Sequence, residues 1–195
     1  SYESGETIAL IRIQSIDVMI LPIYFMSDEK IADRTTIQNY SYGFVYGFIL
    51  ALVAYNFMLY IGLRSNPYLS YSIYLLSFLI LNIAYTGHGY QWLWPDFPTW
   101  QQWSNPILII VCTVSGLFFA LHFLNIKTTL IRVYRIVIGC CLGFSALIAV
   151  MMLSGNFALT LLTSLFFIFI SSVLMIILGV ISLRSGNKFA KYFLW

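Results

Sequence analysis

The chain has 195 residues, of which 61% are hydrophobic, 18% aromatic and only 9% charged, with a net charge of +3 and a mean hydropathy of +0.88. An ordinary soluble domain carries about 25% charged residues, so this composition excludes one. The small positive charge points to neither nucleic acid nor a polybasic lipid-binding segment, and Cys112, Cys140 and Cys141 lie in apolar runs with no disulfide framework or metal-ligand spacing.

Residues 1–6 are polar and acidic, without the basic stretch and apolar run of a cleavable signal, and read as the cut end of something larger. Residues 7–14 (TIALIRIQ) and 18–25 (VMILPIYF) are apolar and rich in β-branched residues, which predicts two strands joined by a turn at Ser15-Ile16-Asp17. Two strands are marginal alone, so they are expected to complete an extracytoplasmic β domain. Residues 27–38 would link it to the membrane, giving a remnant and linker over 1–38 and a helical membrane domain over 39–195.

Five apolar stretches then follow at about 42–63, 69–85, 107–124, 133–153 and 157–183, each able to cross a hydrocarbon layer of about 30 Å as a helix. Strict polar and apolar alternation is missing, which disfavours a β-barrel. Near residue 189 the sequence turns apolar again, as at the start of a sixth span. The expected fold is therefore an all-α polytopic bundle preceded by two strands of a β-sandwich.

The connectors sort by charge. Arg64, Lys127, Arg132, Arg135, Arg184, Lys188 and Lys191 fall on one side, and Arg12, Lys30, Arg34 and all seven carboxylates on the other. Because lysine and arginine near span ends are retained in the cytoplasm, the N-terminus is expected outside, together with the 86–106 connector and the Ser154-Gly155-Asn156 turn.

That outer connector contains GHGYQWLWP, residues 87–95. Tyr90, Trp92, Trp94, Trp100 and Trp103 suit the membrane–water boundary, where a ring is buried and its polar tip wetted. An interfacial belt and a recognition or coupling shelf formed by His88, Tyr90, Trp92 and Trp94 are both open readings. His88, between two glycines, and His122, near the opposite face, lie too far apart to share a ligand, so neither a metal nor another cofactor is expected.

Within the apolar cores there is no Asp, Glu, Lys or Arg, which disfavours an ion-coupled pump. Asn56, Ser72, Ser77, Asn82, Thr113, Ser145, Thr160, Thr163, Ser164, Ser171 and Ser172 do enter membrane depth and are expected to bond between helices. Gly43 and Gly47 form a Gly-x-x-x-Gly face permitting close helix approach, and Tyr55 and Asn56 are expected to mediate packing. Ser115-Gly116 and Ser154-Gly155 lack the flanking pattern, base and oxyanion donors of an intramembrane protease, and no catalytic residue is assigned.

Four blocks carry a resemblance: Tyr42-Gly43-Phe44-Val45-Tyr46-Gly47, Ala54-Tyr55-Asn56-Phe57-Met58-Leu59-Tyr60, Arg64-Ser65-Asn66-Pro67-Tyr68-Leu69-Ser70-Tyr71 and the 87–95 stretch. In this order they resemble the membrane domain of bacterial seven-transmembrane receptors with diverse intracellular signalling modules, best over 40–125. The resemblance implies a bacterial inner-membrane location, an extracytoplasmic β-sandwich sensor, seven helices and a C-terminal output such as a diguanylate cyclase or histidine kinase, of which the chain holds only part. The expectation is a non-enzymatic signal-transducing domain, with the bilayer, an unknown outer ligand or protein, an output domain in cis and a second copy as partners. A carrier or channel subunit with an aromatic-lined outer mouth is the alternative, and a membrane-embedded enzyme ranks last.

Overall fold

The computed structural model describes residues 27–187 and 190–194. Eight helices occupy them: α1 Asp28–Leu63, α2 Asn66–Tyr85, α3 His88–Trp92, α4 Pro98–Phe123, α5 Ile126–Thr129, α6 Ile131–Leu153, α7 Phe157–Arg184 and α8 Ala190–Leu194. Five of these, α1, α2, α4, α6 and α7, are long and apolar enough to cross a membrane. There is no strand among the described residues, and the two expected strands lie outside them.

Two span boundaries differ from those expected. α1 begins at Asp28, so the linker over 27–38 is an exposed, polar extension of the first helix. Its 36 residues give a rod of about 54 Å, well beyond the hydrocarbon thickness. A helix already nucleated by the apolar segment extends through polar residues one hydrogen bond at a time, without a second nucleation cost. α4 starts at Pro98 rather than near 107. Proline suits the first turn, where its missing N–H would have no intrahelical partner anyway. Pro106, inside the same helix, is tolerated as prolines in membrane helices often are.

The long helices alternate in direction. One end of the bundle gathers the start of α1, α3 with its flanking turns, and the α6–α7 turn. The other gathers Arg64, Lys127, Arg132, Arg135, Arg184 and Lys191. Side by side, α1 packs on α2, α2 on α4, α4 on α7, and α7 on α6. Gly116 sits where α4 meets two neighbours: a Cβ there would stand 3.0 Å from Met175 Cε and 3.2 Å from the Tyr74 ring. The small-residue reading of Ser115-Gly116 therefore agrees with close helix packing.

The main core lies toward the basic end, where Leu117, Leu121, Leu124, Ile126, Val137, Cys141, Leu178 and Ala190 join five helices. Three connectors turn the chain at this end of the bundle. Arg64 and Asn125 adopt left-handed φ values of 49° and 50°, and Gly186 reaches 86°. Asn187, just beyond, donates from Nδ2 to the Leu124 carbonyl at 3.1 Å and approaches Ser182 Oγ at 3.2 Å, tying the end of α7 to the end of α4. At the opposite end Gly155 turns at φ 72° and Asn156 caps α7 by accepting from the Leu159 amide.

The membrane-depth polar residues correct one expectation. Asn56, Ser77, Asn82, Thr113, Thr160, Thr163, Ser164 and Ser172 donate to carbonyls four residues earlier in their own helices. A short polar side chain on a helix reaches that carbonyl without needing a neighbour, so it is satisfied locally. Ser72 does cross, donating to the Val53 carbonyl of α1 at 3.0 Å.

A candidate coupling site at the acidic aromatic end

The 86–106 connector is mostly structured. Gly87 turns the chain at φ 83°, α3 takes His88–Trp92, and a turn through Trp94–Phe97 leads into α4. Gly89 makes the fold of this segment possible. A Cβ at that position would lie 2.5 Å from the Trp94 ring and 3.1 Å from Ala84 Cα, so only glycine lets Trp94 close over α3 against the last turn of α2.

Two sets of polar contacts converge on that last turn. In the first, Tyr46 of α1, Thr86 and His88 form a triangle: Tyr46 OH to Thr86 Oγ1 is 2.7 Å, Thr86 Oγ1 to His88 Nδ1 2.8 Å, and Tyr46 OH to His88 Nδ1 3.1 Å. The imidazole also meets two rings, Trp92 tilted at 4.6 Å and Tyr42 edge-on at 4.9 Å between centroids. In the second, Trp94 Nε1 donates to Gln101 Oε1 at 2.6 Å, and Gln101 Nε2 donates to the Ala84 carbonyl at 3.1 Å. Trp100 meets Trp94 edge-on at 6.3 Å. The first set holds α1 to α2 and α3; the second holds α4 and the turn at Trp94 to α2.

Of the residues expected to form a shelf, His88 and Trp92 lie ring against ring, Trp94 belongs to the second set of contacts, and Tyr90 and Trp92 are 41% and 56% exposed. Tyr46, Thr86, Gly89 and Gln101 complete the site without having been singled out from the sequence. Gly89 had a local signal, a small residue between two rings; Gln101 had none, because the helix that places it was not expected to start at Pro98. Of the packing residues, Asn56 is buried, whereas Tyr55 is 61% exposed. Gly43 and Gly47 face open space, with nothing within 4 Å of a Cβ built on either.

At the basic end of the same helix pair, Ser70 of α2 bonds His122 Nδ1 of α4 at 2.7 Å. A cavity of about 570 Å³ opens beside it between α2, α4 and α6, lined by Ile73, Ser77, Val114, Ser115, Phe118 and Ser145 among others. α2 is therefore fastened at both ends, through His88 and Gln101 at one and His122 at the other.

Residues 38–195 match the family described as 7TM diverse intracellular signalling. The chain belongs to that family. The match covers all five candidate spans from the apolar part of α1 onward, and the 7TM diverse intracellular signalling domain is accordingly a multi-pass membrane domain associated with intracellular signalling modules. No curated protein and no solved structure matches the chain.

Proposed function

We propose that this 7TM diverse intracellular signalling domain passes an extracytoplasmic stimulus to a cytoplasmic output module in cis, in a bacterial inner membrane, with its acidic aromatic end outside and its basic end inside. The chain's own part is mechanical rather than enzymatic; a diguanylate cyclase or histidine kinase type of module would supply the chemistry. The excess of cations at one end and of carboxylates at the other supports the orientation.

One observation carries the mechanism: both sets of contacts at the outer end close on the final turn of α2, a 20-residue helix about 30 Å long. A ligand or partner that displaces the shelf must pull on α2, and a packed helix responds by shifting as a body between discrete arrangements. Only a difference in binding to the two arrangements can drive the shift. Asn105, one turn beyond Gln101 in α4, has a buried Oδ1 with no hydrogen-bond partner among the described residues. Such an acceptor costs about 1–3 kcal/mol and is a group that a second arrangement could satisfy.

The test is alanine at Trp92 and Trp94 in the intact protein, with cytoplasmic output as the readout. Normal expression with the response reduced at least tenfold is expected; an unchanged response contradicts the proposal. Solute uptake by purified protein in liposomes would instead favour a carrier with an aromatic-lined mouth.

A further inference from the structure

Thr86 Oγ1 stands within hydrogen-bond distance of four groups that compete for few protons: three short contacts, to Tyr46 OH at 2.7 Å, His88 Nδ1 at 2.8 Å and the Asn82 carbonyl at 2.9 Å, and a longer one to the Ile83 carbonyl at 3.3 Å. A threonine hydroxyl has one proton to give and two lone pairs to accept with, and tyrosine has one proton. The carbonyls can only accept. Whether Nδ1 carries a proton then decides how many of these contacts are bonds.

If Nδ1 is bare, only Thr86 and Tyr46 bring protons, so no arrangement makes more than two hydrogen bonds, as two of them illustrate. Thr86 can donate to Nδ1 and accept from Tyr46, which leaves the Asn82 contact without a proton. Alternatively, Thr86 donates to Asn82 and Tyr46 donates to Nδ1, which sets lone pairs against each other at 2.7 and 2.8 Å. Each gives two bonds. If Nδ1 is protonated, Thr86 donates to Asn82 and accepts from both Tyr46 and His88, and all three short contacts become hydrogen bonds. The longer 3.1 Å separation of Tyr46 OH and Nδ1 fits two donors that share one acceptor.

We propose that Thr86 is a positioning residue that holds His88 in the Nδ1–H tautomer, so that the neutral imidazole carries its free lone pair on Nε2. Among the described residues no protein group bonds that nitrogen, and Trp92 and Tyr42 fix the plane of the ring. The shelf thereby offers a hydrogen-bond acceptor suited to a stimulus bearing an N–H or O–H group. The role of this acceptor in sensing rests on the function proposed above; the tautomer does not.

The experiment is nitrogen-15 NMR of the imidazole side chains in the full chain in lipid nanodiscs, at pH about 9, where an ordinary imidazole is neutral. With two histidines in the chain, His122→Gln leaves the His88 signals alone. The expected spectrum has a protonated Nδ1 and an unprotonated Nε2. Thr86→Val should move the proton to Nε2, and Thr86→Ser should keep it on Nδ1. An Nε2–H tautomer in the unsubstituted site, or an Nδ1–H signal unmoved by Thr86→Val, overturns the proposal. Because this readout involves no signalling, it can fail while the Trp92 and Trp94 variants still lose their response, and the reverse.

Discussion

Gly89 shows how little space the outer site has to spare. Its missing Cβ is the room that Trp94 occupies, so Gly89→Ala must displace either the indole or the end of α2. Overpacking of this kind costs about 1–3 kcal/mol. The expected outcome is a lower thermal midpoint in mild detergent and a shifted tryptophan emission, whereas Gly43→Ala and Gly47→Ala, whose added Cβ atoms meet nothing among the described residues, should leave both unchanged. Gln101 gives a second test at the same scale. Gln101→Leu retains the bulk but releases the Trp94 indole and the Ala84 carbonyl, and is expected to blunt signalling while expression holds; Gln101→Glu keeps the acceptor for Trp94 and should retain more of it. The aromatics of this site were legible because Trp, Tyr and His are conspicuous in a short connector. Thr86 and Gln101 were not, since what singles them out is proximity to groups on other helices, at Tyr46 of α1 and Ala84 of α2.

Among the elements, α1, α2 and α4 show what hydropathy can and cannot reveal. Apolar runs mark the part of a helix that meets lipid: the span expected at 42–63 falls inside α1, and that expected at 107–124 inside α4 but for its last residue, the C-cap Leu124. They do not mark where a helix stops, because backbone hydrogen bonding continues into water. The polar start of α1 and the Trp-Gln-Gln-Trp start of α4 were read as connectors for that reason. Polar residues at membrane depth were legible as hydrogen-bonding groups but not as to partner, since a serine has its own helix's carbonyl within reach as readily as a neighbour's. Ser72 is the instructive exception. Its bond to Val53 joins α2 to α1, and Ser72→Ala should weaken that pair by about 0.6 kcal/mol and at most about 1.7 kcal/mol, measurable as a small loss of resistance to denaturing detergent. Ser77→Ala, losing only a bond within α2, should cost less.

At the scale of the whole molecule, the five membrane-spanning helices and the family both follow from composition and from four short blocks of sequence, and the family match over residues 38–195 extends past the part where those blocks lie. The segment expected to open a sixth span holds α8, a helix of 5 residues whose Ala190 is buried in the main core and whose Phe193 meets Phe119 and Phe123 at 6.4 and 5.9 Å between ring centroids. This places the segment after α7 against the same α4 that Gln101 anchors at the far end, so α2 and α4 together form the physical link between the aromatic end and the basic end. The direction in which a signal would run along that link depends on which end lies outside. Thiol labelling decides it most directly: with Cys112, Cys140 and Cys141 replaced by alanine, a single cysteine is placed by Asp96→Cys or by Ser185→Cys, and intact cells are treated with a membrane-impermeant maleimide. Asp96→Cys should label without permeabilisation and Ser185→Cys only after it; the opposite pattern would put the aromatic shelf in the cytoplasm and contradict the account.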